Sequence, residues 1–254
     1  MAFDKNNTTR GMKVIIIVFC VILVLTLMLP GMSALFGGGG QQPVQQDTAE
    51  QTQPKTLAEV DAIYSPAVET VEKQIAEDPD NPTLKSALGA ANLERGFGIM
   101  RLSQQLSLED PSQAEPLATE AEKHFNDAVA AYDAYLETEQ SDEARTSRAI
   151  ALFYSNDVDG AIAALEQQTQ DSPSFSPAWA NLGQFVEAKG DYAAARTHYE
   201  KAVEVDPDDQ YHVKGYVDTR LAMLDAIEQA LESATSAPDA EVTPEAPNAT
   251  GTAQ

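Results

Sequence analysis

The stretch Ser176–Pro207, SPAWANLGQFVEAKGDYAAARTHYEKAVEVDP, limits the fold more than any other part of the chain. Its apolar residues recur three and four apart. Trp179, Leu182 and Val186 share one face of a first helix, and Ala195, Tyr199 and Ala202 share one face of a second. Lys189-Gly190-Asp191 marks the turn between them, and Pro207, which has no N–H to donate, ends the second helix. Gly183 lacks a β-carbon and so admits a large side chain from a neighbouring helix. Small residues on one helix facing large ones on the other predict a helical hairpin.

The order W-x2-L-G-x2-V, A-x3-Y-x2-A, P resembles the tetratricopeptide repeat, a family of stacked helical hairpins of about 34 residues each. With Ser176 as position 1, the match comprises Trp179, Leu182, Gly183, Val186, Ala195, Tyr199, Ala202 and Pro207 at positions 4, 7, 8, 11, 20, 24, 27 and 32. The resemblance implies an all-α solenoid. One hairpin cannot cover its own apolar face, so at least about three must stack.

The unit beginning at Asp142 lies 34 residues upstream of Ser176 and repeats the register. Asn156-Asp157 matches Gly190-Asp191, Ala161 matches Ala195, Leu165 matches Tyr199 and Pro173 matches Pro207. Arg148 and Gln168 depart from the pattern and predict looser packing. In the unit beginning at Pro82, Leu88-Gly89 take positions 7 and 8, with Asn92 in place of the usual large apolar residue at position 11. Ala128, Tyr132 and Tyr135 resume the register after an enlargement over about residues 97–127. The expectation there is a first helix to about Leu108 and a second from about Pro116 to Glu139, as a projecting hairpin or as two elongated helices. Leu57–Asp78 reads as helix, with Ser65-Pro66 as a helix start and Ala67, Val71 and Pro79 at positions 20, 24 and 32 of a degenerate repeat. Asp208–Glu232, carrying Tyr216, Leu221, Leu224, Ile227 and Leu231, reads as the terminal cap that repeat arrays require. The repeat domain is therefore expected over residues 57–232.

The flanks differ in kind. Val14–Leu29 is apolar throughout except for Thr26, and no charged residue occurs from Val14 to Gln46. Residues 14–36 are long enough to cross a bilayer, which takes about 20 residues as a helix. Lys5, Arg10 and Lys13 precede this stretch, and the next basic residue is Lys55, so residues 1–13 are expected in the cytoplasm and the rest across the membrane. An uncleaved signal anchor is the leading reading. Cleavage near Gly31-Met32-Ser33 or Met32-Ser33-Ala34 is the alternative. Residues 37–56 read as a flexible linker with a reach of about 25 Å, and residues 233–254 as an acidic tail too poor in apolar side chains to order itself.

The chain carries a formal charge of −24, so a basic nucleic-acid footprint is excluded. Removing Lys5, Arg10, Lys13 and Asp4 leaves 13 basic and 39 acidic residues beyond the apolar segment. Cys20, the only cysteine, lies within that segment, which leaves the remainder without disulfide or thiol chemistry. His124, His198 and His212 lack metal-ligand spacing and read as surface or groove-edge residues. Asp206-Pro207-Asp208-Asp209 lacks the alternation of a calcium loop and falls where a repeat turn belongs. No nucleophile elbow, P-loop or dinucleotide fingerprint is present, so no catalytic residue, cofactor or metal is expected.

The resemblance implies a concave face lined by first-helix positions, here including Ser86, Ala90, Leu93, Glu94, Glu143, Ser147 and Glu187. Leu93, Thr146, Ile150, Phe153 and Tyr154 would form an apolar groove, with Asn181 and Gln184 to hydrogen-bond an extended peptide. Covering of Phe153 and Tyr154 by the cap or by the long hairpin is the competing expectation. The family's carboxylate-clamp residues are matched only by Asn181. The functional expectation is a membrane-anchored, extracytoplasmic adaptor for protein or peptide segments, as in a cell-envelope or secretion assembly. The alternative is an acidic module for basic polymers or divalent cations.

Overall fold

The computed structural model describes residues 53–236, so the expected membrane span at 14–36, most of the linker 37–56 and the tail beyond Ser236 lie outside the described residues. Among the described residues there are eight helices and no strand: α1 (Leu57–Glu77), α2 (Pro82–Glu109), α3 (Pro111–Leu136), α4 (Asp142–Tyr154), α5 (Val158–Asp171), α6 (Ser176–Ala188), α7 (Tyr192–Val205) and α8 (Lys214–Ser236). None of them is long and apolar enough to cross a membrane.

The helices pair as α2/α3, α4/α5 and α6/α7, and each pair interlocks through a small residue. In α6/α7 the ring of Tyr199 lies over Gly183, where a β-carbon would stand 2.7 Å from it. Gly89 and Tyr132 repeat this contact in α2/α3, at 2.9 Å. Ala149 and Leu165, both fully buried, occupy the same two positions in α4/α5. The turns repeat as well. Asn156 and Gly190 each take positive φ, 72° and 86°, a conformation that Asn and Gly adopt most readily. The aspartates that follow cap the next helices, Asp157 accepting from the Gly160 N–H and Asp191 from the Ala194 N–H, both at 3.0 Å. Leu182, Ala195 and Ala202 are buried, Trp179 is half-buried with its Nε1–H on the Pro173 carbonyl at 2.9 Å, and Pro207 is exposed beyond the end of α7.

The enlarged unit consists of two elongated helices. Asp110 is the single residue between them. It ends α2 through its N–H on the Leu106 carbonyl at 2.7 Å, and it caps α3 by accepting from the Ser112 N–H at 3.2 Å. α3 therefore starts at Pro111, one helical turn earlier than expected, with Pro116 inside it. Gly96 admits the ring of Phe125, and Ser103 Oγ donates to the Ala114 carbonyl at 2.7 Å, so the extra turns pack on each other rather than project singly.

Several expectations fail at the ends of the array. Ser65-Pro66 does not start a helix: α1 begins at Leu57, capped by Thr56, and runs through Pro66. The lost backbone bond, a cost of about 3 kcal/mol, is offset by an uninterrupted packing face against α2. On that face Val60 and Val68 are buried, Tyr64 fills the space at Gly98, and Asp61 pairs with Arg95 at 2.9 Å. Ala67, placed at a packing position by sequence, is exposed. The cap helix starts at Lys214 rather than Asp208. The Asp206 carboxylate accepts the N–H groups of Gln210 and Tyr211, and Asp209 accepts that of Lys214, which holds the intervening residues in a turn. Gln168 does not loosen the second hairpin. Fully buried, it accepts from Thr146 Oγ1 at 3.0 Å and donates to the Asp142 carbonyl at 2.8 Å.

Candidate interaction face

α6 is buried along nearly its whole length, from Ser176 to Glu187, with only Trp179 partly exposed. Side chains from α4 and α8 reach across to it, Phe153 onto Phe185, Tyr216 to Gln184 and Arg220 to Glu187, and fill much of the expected groove. Leu93, Thr146 and Ile150 are core residues, exposed by 2%, 5% and 5%. Phe153 stacks on Phe185, with ring centroids 4.1 Å apart. Tyr154 meets Phe97 edge-on at 4.9 Å and lies 5.4 Å from Phe125, so the long hairpin covers it. Burial pushes the Tyr154 phenol up to about 12. Asn181 and Gln184 are also buried: Asn181 donates to the Pro177 carbonyl at 2.8 Å, and Gln184 accepts from the Tyr216 hydroxyl at 3.3 Å. Five of these seven residues, Leu93, Thr146, Ile150, Asn181 and Gln184, are buried in the array, and Phe153 and Tyr154 are only partly exposed. Among the first-helix positions assigned to the inner face, Ala90, Glu94 and Glu143 remain exposed or partly so, and Ser86 and Ser147 remain half-buried.

The closed part of this face contains a charged network that joins the cap to the last hairpin. Glu187, expected in the groove, accepts from Arg220 Nη2 and, at 3.1 Å, from Arg220 Nε. Its Oε2 also accepts from the Tyr199 hydroxyl at 2.7 Å, and that hydroxyl lies 3.5 Å from the Tyr216 hydroxyl. Glu187 is 8% exposed and Arg220 4%. Burial alone would lower the Arg220 pKa, but Glu187 more than compensates and raises it. Burial raises both the Tyr199 and Tyr216 phenols. Sequence reasoning missed Arg220, although a signal existed. It lies on the buried stripe Val213, Val217, Leu224, and an arginine on such a stripe needs an anion.

His124 also departs from expectation. It is 4% exposed, with Nδ1 3.1 Å from Asn92 Oδ1, and Asn92 donates in turn to the Leu88 carbonyl at 3.2 Å. The polar residue at a usually apolar position thus pairs with a histidine on the facing helix. Burial lowers the His124 pKa, and Arg95 lowers it further against the opposing pull of Glu120 and Asp127. His198 lies against Trp179 with ring centroids 5.9 Å apart, and burial lowers its pKa as well. A polar hollow between α4 and α5 is lined by Ser141, Asp142, Arg145, Asp171 and Ser172. Its charges are already paired, Arg145 with Asp171 and, at 3.8 Å, with Asp142. Among the described residues, no three His, Cys, Asp or Glu side chains gather closely enough to hold a metal ion.

Residues 152–215 match the family model described as tetratricopeptide repeat, which covers the second hairpin's turn through the start of α8. No curated protein matches the chain. Among solved structures, the chain is similar to MamA at 18% identity, over 70% of this chain and 94% of that one, with a TM-score of 0.38. It is also similar to a thermophilic TPR protein of Thermus thermophilus, at 19% identity over 65% and 95% of the two chains, with a TM-score of 0.34. BtubC from P. vanneervenii aligns at 16% identity over 79% and 98%, with a TM-score of 0.29. At these scores the superpositions carry no functional information.

Proposed function

We propose that this tetratricopeptide-repeat protein is a non-enzymatic scaffold that binds protein or peptide segments from a membrane-anchored position on the extracytoplasmic side. The observation that carries the scaffold reading is the recurrence of the interlock Gly89–Tyr132 and Gly183–Tyr199 within a stack of hairpins. Such stacks present an extended surface rather than a single cleft. The anchoring part rests on the apolar stretch Val14–Leu29 and on the basic residues before it. An envelope or secretion assembly is the setting that fits a tethered scaffold.

With the expected groove largely filled, Ala90 and Glu94 on α2 and Glu143 on α4 are the exposed inner-face positions that support a binding surface. Their chemistry suits a partner segment that brings a basic or hydrogen-bond-donating group to the two carboxylates. The test is crosslinking and capture from membranes with wild type and an Ala90→Arg/Glu94→Arg variant, whose sites are exposed and whose helical content should be unchanged. Loss of a specific captured protein supports the reading. An identical set of captured proteins moves the contact off α2. Capture that vanishes for wild type at raised salt, together with binding of basic polymers, favours the acidic-module alternative.

A further inference from the structure

The two ends of the described array are finished differently. At the C-terminal end, α8 turns Lys214, Asp218 and Thr219 outward, the polar outer face a terminal element needs to stay solvated. At the N-terminal end, α1 buries Val60 and Val68, packs Tyr64 on Gly98 of α2, and leaves Ala62, Ile63, Pro66 and Ala67 exposed. These four share one stripe, spaced one, three and four apart, and Ile63 is 57% exposed. α1 packs on α2 as a second helix packs on the next hairpin, so its outer face is where the first helix of its own repeat would lie. The sequence of residues 37–56, immediately before α1, offers only Val44 and Ala49 as aliphatic residues, too few apolar side chains to cover this stripe. Residues 237–254 follow the far end of the array and have Val242 as their only aliphatic residue larger than alanine.

We infer that the outer face of α1 is an antiparallel, two-fold interface with a second copy of this chain. The charges that bracket the stripe select this occupant and this orientation. Glu59 stands one turn before Ala62 and Lys73 stands beyond Ala67 and Thr70, all on the same exposed face. When α1 meets another α1 antiparallel about Pro66, each Glu59 faces the other copy's Lys73, and Ile63 of each packs on the Pro66–Thr70 segment of the other. Thr70 Oγ1 donates to its own Pro66 carbonyl at 2.6 Å, so its hydroxyl proton is satisfied within α1 and does not need a partner across this contact. A parallel pairing would set Glu59 on Glu59 and Lys73 on Lys73, which is repulsive. A closed two-fold contact also uses up the sticky face without propagating a filament.

The test is sedimentation of the detergent-solubilised full chain at about 0.15 M salt, where a screening length of about 8 Å suppresses repulsion between the acidic bodies. Wild type should show a concentration-dependent dimer. Ile63→Asp should raise the dimer dissociation constant by roughly thirtyfold or more, as loss of a central anchor does, with helical content unchanged because the site lies outside the core. Glu59→Lys and Lys73→Glu should each be monomeric alone and should form a dimer when mixed, since mixing restores both opposite-charge contacts. A wild type that stays monomeric overturns the proposal, as does a dimer insensitive to Ile63→Asp, which would place self-association elsewhere, including in the apolar segment. Failure of the mixed charge variants to pair overturns the antiparallel register. A different protein captured by monomeric wild type and lost in Ile63→Asp would assign the face to that protein instead.

Discussion

The Glu187–Arg220 pair links the cap to the array, and replacing Glu187 with leucine measures how much that link contributes. In the variant Arg220, 4% exposed, keeps no carboxylate partner and has only Met223 Sδ at 3.4 Å near Nη1. An uncompensated buried charge costs about 3–5 kcal/mol. The Tyr199 hydroxyl loses its bond to Glu187 but keeps its neighbour Tyr216, so its added cost is small. For a domain of this size each kcal/mol lowers Tm by about 2–4 °C, so thermal melting followed by circular dichroism should show a fall of roughly 10 °C. Repeat arrays also open from their ends, so amide exchange should accelerate first across α8. The partner substitution Arg220→Met added to Glu187→Leu removes the stranded charge and should recover most of the loss. A Glu187→Leu chain within about 1 kcal/mol of wild type, or a double variant no better than the single, would refute the assignment of this pair as a coupled, desolvated unit.

Two further perturbations follow from the packing. Gly96→Ala places a β-carbon 2.7 Å from the Phe125 ring, itself 1% exposed and packed against Phe97 and Tyr154, and should cost about 1–3 kcal/mol despite the higher helix propensity of alanine. Gly215→Ala meets nothing within 4 Å and should be neutral or stabilise by up to about 1 kcal/mol; opposite signs in denaturant unfolding check the pair. His124 has a folded pKa below its ordinary value of 6.5, so below pH 6.5 the unfolded chain binds more protons and stability falls with falling pH until the folded pKa is passed. His124→Gln should flatten that decline relative to wild type, leaving the share that His198 contributes. An unchanged slope between about pH 7 and 5 would show that the buried Asn92–His124 contact does not govern proton uptake.

The hairpins were legible because their signals are local and redundant. Gly183 with Tyr199, and Asn156 with Gly190 one period apart, each specify a contact or a turn that the structure contains. The groove was not legible, since exposure depends on neighbours. Ile150, Asn181 and Gln184 lie at inner-face positions by count, yet side chains from neighbouring helices bury them. Proline misleads twice in the same way: Pro66 and Pro116 read as boundaries in the sequence, but Thr56 and Asp110 supply the caps and tertiary packing carries both helices through. His124 and Gln168 escape a sequence reading because a polar residue facing the core is accommodated only by a specific partner, Asn92 or Thr146, that single-helix periodicity does not reveal.

The scaffold reading is tested most directly by a photo-crosslinking side chain placed at Ala90 on the inner surface of α2 and, as a control, at Asp218 on the polar outer face of the cap. Both sites are exposed, so neither disturbs the core. A discrete protein adduct is expected from position 90 in intact membranes, none from position 218, and loss of the adduct in Glu94→Arg. Adducts that are absent at position 90, or equal at the two positions, would contradict the scaffold reading.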